Sequence, residues 1–272
     1  MNKMDVTTRN FLRLLRAGAF NRQEPIEPLS AWKWQRLFQL SMVHNVEQFI
    51  YQGITCCKEQ YFVHLPEQLM SEWKNRHFDN ENDETNVMIM PDRLTNPILN
   101  QKLQTILNKE NISEESRQLL LNLVGVTRFI MNVGMPMKLV AETAVLIRQA
   151  TDRIDYARIQ EWIEELKLRP MAQLTGTLLI GIMHMTPTEL PFMAPENKNL
   201  TDKRVQEILK LKNKNTEEWY LSQGKNIFVH TSNPASLLWH VRQSARFFRY
   251  YPSESLTNFF ASFANSLSHI EE

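Results

Sequence analysis

The spacing of apolar residues constrains the fold of this chain more than any other feature of its sequence. Apolar side chains recur every three or four positions through most of its 272 residues. This is the periodicity of helices that bury one face. Only residues 226–231 (NIFVHT) read as a strand, and that segment is short. We therefore predict an all-α fold, a multi-helix bundle or array with at most one short strand or hairpin.

Glycine and proline residues set the predicted helix limits. Gly18 and Gly53 are expected to end the first and third helices, because glycine favours the position after a helix C-terminus. Pro66 suits the first turn of a long helix, and residues 90–97, with two prolines, are the clearest break. Further helices are predicted over 98–108, 114–133, 137–151, 156–168 and 171–185, and then from about residues 201, 235 and 254.

The scarcity of glycine excludes several classes of protein. The chain has 7 glycines, where average usage predicts about 19. A collagen-like chain and a glycine-rich phosphate loop are excluded, and a turn-rich β-sandwich is disfavoured. The 31 basic and 30 acidic residues leave a net charge of +1, so the overall charge indicates no partner.

The only cysteines, Cys56 and Cys57, are adjacent. They provide no disulfide framework and do not fit the spacing by which two thiolates reach one zinc ion. We interpret them as a helical core pair or as free thiols. This cysteine usage favours a reducing compartment.

We predict a single packed unit with three parts. Residues 1–90 form an N-terminal helical region, residues 91–113 a linker with a short helix, and residues 114–272 a C-terminal helical region packed with the first. Charged residues interrupt the N-terminal stretch, so no signal peptide is expected. The longest apolar segment, residues 174–185, is too short to cross a bilayer. A cytoplasmic protein without membrane insertion is predicted.

The familiar catalytic motifs are missing from the sequence. It contains no G-x-x-x-x-G-K-[ST] phosphate-binding loop and no G-x-G-x-x-G dinucleotide-binding motif. The G-x-S-x-G motif of serine hydrolases is also missing. On an extended strand, Asp79, Glu81 and Asp83 would share one face and could hold magnesium. The run continues a predicted helix, where alternate side chains point apart. We therefore interpret it as a solvated helix end rather than a metal site. His184 is interpreted as a core histidine rather than a base. No catalytic residue, metal site or cofactor is predicted.

Three arginines near the C-terminus form the candidate binding site. Arg242, Arg246 and Arg249 are spaced four and three residues apart, which places their guanidinium groups on one helix face. His240 lies close by in the sequence. We predict that these four residues form an anion- or partner-binding site.

Two interpretations of this arginine face remain open. Residues 198–251 carry a net charge of +6 and residues 59–92 one of −6. The favoured interpretation is ion pairing between the arginines and the acidic helix of residues 67–84. In the alternative, the arginines bind phosphates or a nucleic-acid backbone, while Tyr250 and Tyr251 stack on bases.

Several segments taken in order resemble an uncharacterised bacterial nucleotidyltransferase family that is often associated with polysaccharide gene clusters. The stretch LSAWKWQRLFQLSMVHNVEQFIYQGI matches its W-x-x-L…H-x-V pattern at Trp34, Leu37, His44 and Val46. The segments after residue 117 and the stretch RQSARFFRYYPSESL are similar to the family's C-terminal helices. The resemblance covers about two-thirds of the chain.

The family's catalytic unit has no counterpart in this sequence. That unit carries a Lys-Gly strand and an Asp-x-Asp metal-binding pair, whereas residues 87–114 contain neither. The resemblance therefore implies a non-catalytic, nucleotidyltransferase-like interaction or scaffold protein linked to bacterial polysaccharide synthesis, with another protein as its partner. The alternatives are a nucleotidyltransferase subunit completed in trans and a nucleic-acid-binding module that uses residues 198–251. In these alternatives the partner is a nucleotide or a nucleic acid.

Overall fold

A computed structural model describes residues 5–60, 65–79, 92–109, 111–132, 137–193, 251–253, 255 and 257. The described residues form nine α-helices and two short 3₁₀ helices and contain no strand. The all-α prediction is confirmed for this part of the chain. The segment 226–231, predicted as a strand, and the helices predicted from residues 201 and 235 lie outside the described residues.

Four helices make up the N-terminal part. They are α1 (Val6–Phe20), α2 (Ala31–Val43), α3 (Glu47–Cys56) and α4 (Glu67–Asp79). Asp5 caps α1, since its carboxylate accepts a hydrogen bond from the Thr7 backbone N–H at 2.7 Å. Ser30 occupies the N-cap position of α2 but makes no side-chain capping bond.

Five helices follow residue 96. They are α5 (Pro97–Leu107), α6 (Glu114–Asn132), α7 (Met137–Ala150), α8 (Tyr156–Glu165) and α9 (Arg169–Met183), with 3₁₀ helices at Thr151–Arg153 and Pro187–Glu189. Asn96 caps α5 by accepting from the N–H groups of Ile98 and Leu99, both at 3.1 Å. The predicted limits of these helices agree with the structure to within three residues.

The crossing of α1 and α3 departs from the prediction. Helix α1 continues through Gly18 and ends at Asn21, which is in the left-handed region at φ 47°. Helix α3 continues past Gly53 to Cys56. Both glycines lie where the two backbones touch, so they allow a close helix crossing and end neither helix. The expectation that they are helix stops is wrong.

Aromatic packing joins α2 to α4. The Trp73 ring meets the Phe38 ring edge-on at 4.8 Å between centroids and the Trp34 ring at 6.5 Å. Its indole N–H donates to the Ser41 hydroxyl at 3.2 Å. All four side chains are buried, and edge-to-face geometry stabilises such pairs beyond the area they bury.

One buried apolar cluster links the N-terminal helices to the later ones. Helix α1 contacts α2, α3, α7 and α9, while α6 packs on α7 and α7 on α9. The Tyr251 hydroxyl donates to the Leu166 carbonyl at 2.6 Å, and its ring is buried. Tyr251 is therefore unavailable for base stacking, and that expectation is wrong for this residue. The three-part division of the chain stays a prediction.

Candidate functional site

The predicted site residues fall outside the part of the chain that the structure describes. They are Arg242, Arg246, Arg249 and His240. Their role in binding an anion or a partner therefore stays a prediction. The same holds for their pairing with residues 67–84, of which only 67–79 are described, and for the nucleic-acid interface over residues 198–251.

An arginine series with the same spacing occurs in α1. Arg9, Arg13 and Arg16 follow one another at four and three residues. Their partners lie in the connecting segment 21–30, which runs back along α1. Arg9 and Arg13 both bind the Glu27 carboxylate, each at 2.8 Å. The spacing alone therefore does not indicate a surface that is open to external anions.

Several neutral hydrogen bonds hold the connecting segment against α1 and the end of α3. Asn10 binds the Glu27 backbone reciprocally, donating to its carbonyl at 2.7 Å and accepting from its N–H at 3.1 Å. The Gln60 amide donates to the Glu24 carbonyl at 2.7 Å and accepts from the Ile26 N–H at 3.0 Å. The Ile26 side chain is buried beneath these bonds.

A group of charged residues lies together with Phe20 where the C-terminal ends of α1, α7 and α9 meet. We call it the junction cluster, and its members are Phe20, Arg16, Arg22, Glu24, Arg148, His184 and Glu189. Arginines suit this place because helix C-termini carry partial negative charge.

Arg16 anchors the junction cluster. Its Nη1 donates to the Ile182 carbonyl at 2.9 Å, and its Nη2 lies 3.2 Å from the Glu24 carboxylate. The side chains of this ion pair are only 6% and 11% exposed. Arg22 binds the same carboxylate at 2.7 Å. Burial opposes ionisation of Glu24, but these arginines together hold its pKa below the ordinary value.

Arg148 reaches the cluster from α7. Its Nε donates to Glu189 at 2.8 Å, and its Nη2 lies 3.4 Å from the His184 carbonyl oxygen. The guanidinium stands 3.9 Å from the centre of the Phe20 ring, and that of Arg22 stands 5.4 Å from it. The bond from Arg148, with smaller effects from Thr186, lowers the pKa of Glu189 to about 2.

His184 corrects the sequence interpretation. It lies one residue beyond α9 in the left-handed region at φ 54°, and its side chain is exposed. The apolar run before it suggested a core position, but the helix ends first and the chain turns outward. Partial burial, followed by the charges of Arg16 and Arg22, lowers the pKa of His184.

Helix α2 carries an exposed aromatic surface. Trp32 is 67% exposed, and the Arg36 guanidinium lies 5.9 Å from the centre of its ring. Trp34, on the opposite face, is fully buried. We call Trp32 and Arg36 the α2 surface patch.

A shallow cleft of about 510 Å³ opens between the end of α5 and α8. Lys109, Asn111, Arg158, Glu161 and Trp162 line it. Asp155 pairs with Arg158 at 3.2 Å, and the Arg158 guanidinium also donates to the Asn111 carbonyl. All of the lining side chains except Trp162 are exposed.

The remaining sequence candidates are two cysteines and three acidic residues. Cys57 is fully buried and Cys56 is half-buried, and both are free thiols. Asp79 is the last residue of α4, while Glu81 and Asp83 lie outside the described residues. Among the residues that are described, no three His, Cys, Asp or Glu side chains converge as metal ligands would. No described helix is both long and apolar enough to span a bilayer.

Comparison with protein-family models, with curated proteins and with solved structures finds no match to this chain. The junction cluster was not among the sequence predictions, because the charged residues of the N-terminal stretch were interpreted only as evidence against a signal peptide. The E-x-x-E spacing of Glu24 and Glu27 could have indicated only the pairing of the connecting segment with α1. This pair follows an arginine series of matching periodicity.

Proposed function

We propose that this chain is a non-catalytic helical interaction or scaffold protein, resembling a nucleotidyltransferase family but lacking its metal-binding motif. The α2 surface patch is the observation that carries the proposal. Tryptophan and arginine are the residue types that most often dominate protein–protein binding energy. The link to bacterial polysaccharide synthesis rests on the family resemblance.

The charge of α2 indicates the chemistry of the partner. The helix contains Lys33 and Arg36 but no acidic residue, so the patch presents an aromatic ring within positive potential. A protein segment with carboxylates around an apolar contact complements such a surface. We therefore propose an acidic protein segment as the ligand of the α2 surface patch.

The carboxylates described above support a structural role for this part of the chain. Glu24, Glu27 and Glu189 each accept hydrogen bonds from arginines of the same fold. Their lowered pKa values favour the ionised form that such pairing requires. These carboxylate–arginine pairs stabilise the packing of the connecting segments against α1 and α7.

Site-specific crosslinking tests the proposal. A photoreactive phenylalanine analogue at position 32 should yield one discrete adduct in native cell extract, and adding Arg36→Glu should abolish it. Ile98 provides the matched control, because it is also a large, exposed apolar residue, 70% exposed on α5. The partner identified at position 32 should bind purified wild-type protein, and Trp32→Ala should weaken it by about tenfold or more. Equal binding by wild type and Trp32→Ala would refute the proposal.

A further inference from the structure

The junction cluster contains more cationic groups than carboxylates. Arg16, Arg22 and Arg148 contribute three guanidinium groups, whereas Glu24 and Glu189 contribute two carboxylates. Arg16 and Arg22 share the Glu24 carboxylate, and Arg148 pairs with Glu189. Counted over side chains alone, one positive charge has no carboxylate to match it when the histidine is neutral, and the carbonyls at the helix C-termini offset part of that charge.

Two guanidinium groups that both contact the Phe20 ring retain unused hydrogen-bond donors. Arg22 bonds Glu24 through Nη2, which leaves its Nε and Nη1 without an acceptor among the described residues. Arg148 donates through Nε and Nη2, so its Nη1 also has no acceptor among the described residues. Both groups lie within 5.4 Å of the centre of the Phe20 ring. The Arg22 side chain is 43% exposed, so solvent reaches these donors.

His184 adds a third group at this place. Its imidazole makes no hydrogen bond to the described residues, although its carbonyl oxygen lies near Arg148 Nη2. Glycine is the least costly residue in the left-handed conformation that follows a helix. At His184 this conformation turns the side chain outward, so the imidazole is exposed and accessible to a ligand.

We infer that Arg22, Arg148 and His184 form a binding site for a phosphate-like oxyanion at the exposed side of the junction cluster. A guanidinium group offers paired N–H donors that match the oxygens of a phosphate. The bound anion would neutralise the unmatched positive charge, and the imidazole would supply a further donor. The anion is either inorganic phosphate itself or the phosphate group of a larger ligand.

The charges around His184 give the binding a measurable signature. Arg16, Glu24 and Arg22 act on the imidazole through their charges, while the Arg148 guanidinium and its partner Glu189 lie beside the backbone carbonyl of His184. In the free protein its pKa lies below the ordinary value. An anion held against it favours the protonated ring, so phosphate should raise the pKa of His184.

The experiment follows the histidine ring resonances by NMR while inorganic phosphate is added to the full chain. His184→Asn assigns the resonance and keeps the left-handed conformation, which asparagine tolerates. We expect saturable binding with a Kd on the order of 1 mM, and a raised His184 pKa. A second titration with glycerol phosphate distinguishes inorganic phosphate from the phosphate group of a larger ligand. Tighter binding of this ester than of inorganic phosphate indicates the larger ligand.

Three variants determine whether the site is specific. Arg22→Gln, followed at the His184 ring, and His184→Asn, followed at the backbone amide resonances next to position 184, should each weaken phosphate binding by about tenfold. Arg153→Gln removes a surface arginine, 63% exposed in its pair with Glu115, and should leave binding unchanged. A thermal melt of each variant identifies loss of folding. Equal shifts with chloride at the same ionic strength, or equal affinities in Arg22→Gln and Arg153→Gln, would overturn the inference.

Discussion

Gly18 and Gly53 lie against each other where α1 crosses α3. A Cβ atom on Gly18 would stand 1.8 Å from the Phe49 carbonyl oxygen and 2.9 Å from the Gly53 nitrogen. A Cβ atom on Gly53 would stand 2.0 Å from the Leu14 carbonyl oxygen. Each helix therefore presents a glycine to the backbone of the other, and the distance between the helix axes depends on both.

Gly18→Ala should strongly destabilise the protein. The obstacle is backbone, so the two helices must move apart and lose packing over their whole contact. We expect a loss of about 2–4 kcal/mol in the free energy of unfolding, the range of severe packing defects. Urea unfolding followed by circular dichroism measures it.

Gly176 in α9 supplies the control for this substitution. The Cβ atom added there would meet Sδ of Met193 at 2.0 Å, the far part of a flexible side chain. Because alanine also has the higher helix propensity, Gly176→Ala should cost much less than Gly18→Ala. If Gly18→Ala lost no more stability than Gly176→Ala, the backbones of α1 and α3 would not be in close contact at Gly18.

The Arg16–Glu24 ion pair should contribute far more to stability than the pairs nearer the N-terminus of α1. Arg16→Met leaves a nearly buried carboxylate with Arg22 as its arginine partner and removes the donor to the Ile182 carbonyl. Breaking a buried ion pair by removing one partner costs about 3–5 kcal/mol, and we expect the lower end of that range here.

Arg13→Met is the matched control for Arg16→Met. Arg13 is 25% exposed, and its partner Glu27 keeps the two bonds from Arg9. This variant should lose about 1 kcal/mol or less. Urea unfolding of both variants at neutral pH makes the comparison, and equal losses would contradict the assignment of Arg16 as the anchor.

Acid should destabilise the fold through Glu27 and Glu189. Arginine hydrogen bonds lower the pKa of each carboxyl from 4.5 to about 2. Between these values the unfolded chain binds more protons than the folded one, so stability is full above about pH 5 and falls towards pH 2. The free energy of unfolding, measured by urea at pH 7 and pH 3, should fall less in Glu27→Gln than in the wild type.

Glu161→Gln serves as the comparison for that pH series. The Glu161 carboxylate is exposed and has no ion-pair partner among the described residues. Its removal should leave the dependence of stability on pH close to that of the wild type. A Glu27→Gln protein with the wild-type pH dependence would mean that the Arg9 and Arg13 bonds do not persist in solution.

Local signals in the sequence were sufficient for the helices. The two prolines within residues 90–97 marked the break before α5, because a fixed φ and a missing N–H act within a few residues. Gly18 and Gly53 were misinterpreted because the reason for each glycine lies 31 to 39 positions away in the chain. Close helix approach and helix termination both favour glycine, and local spacing does not distinguish them.

The junction cluster lay beyond prediction for a related reason. Arg16 meets Ile182 across 166 positions, and no local pattern joins them. His184 follows an apolar run, so periodicity favoured the core, whereas the end of α9 turns the residue outward. Such contacts depend on how helices pack, which the sequence encodes only through the whole set of buried surfaces.

The isolated protein should not catalyse nucleotidyl transfer. Nucleotidyltransferases need carboxylates that hold magnesium against the triphosphate, and this sequence contains no Asp-x-Asp pair. With each nucleoside triphosphate and magnesium, pyrophosphate release should equal that of a buffer control, while an active nucleotidyltransferase in the same assay gives a signal. Turnover that disappears on substitution of Asp79, Glu81 or Asp83 would overturn the prediction.

The adjacent cysteines should differ sharply in reactivity. Cys57 is fully buried, its Sγ donates to the Glu24 carbonyl at 3.5 Å, and burial raises its pKa. Cys56 is half-buried and more accessible to reagents. Because the thiolate is the reactive form, native protein should take up one equivalent of iodoacetamide at Cys56, and both thiols should react in urea. Intact mass and peptide mapping measure this, with Cys56→Ser as the control that should remain unmodified. Equal rates at the two thiols would show that the connecting segment 21–30 moves away from Cys57 readily. The hydrogen bonds that the Glu24 carbonyl accepts from Cys57 and Gln60 would then not shield the thiol.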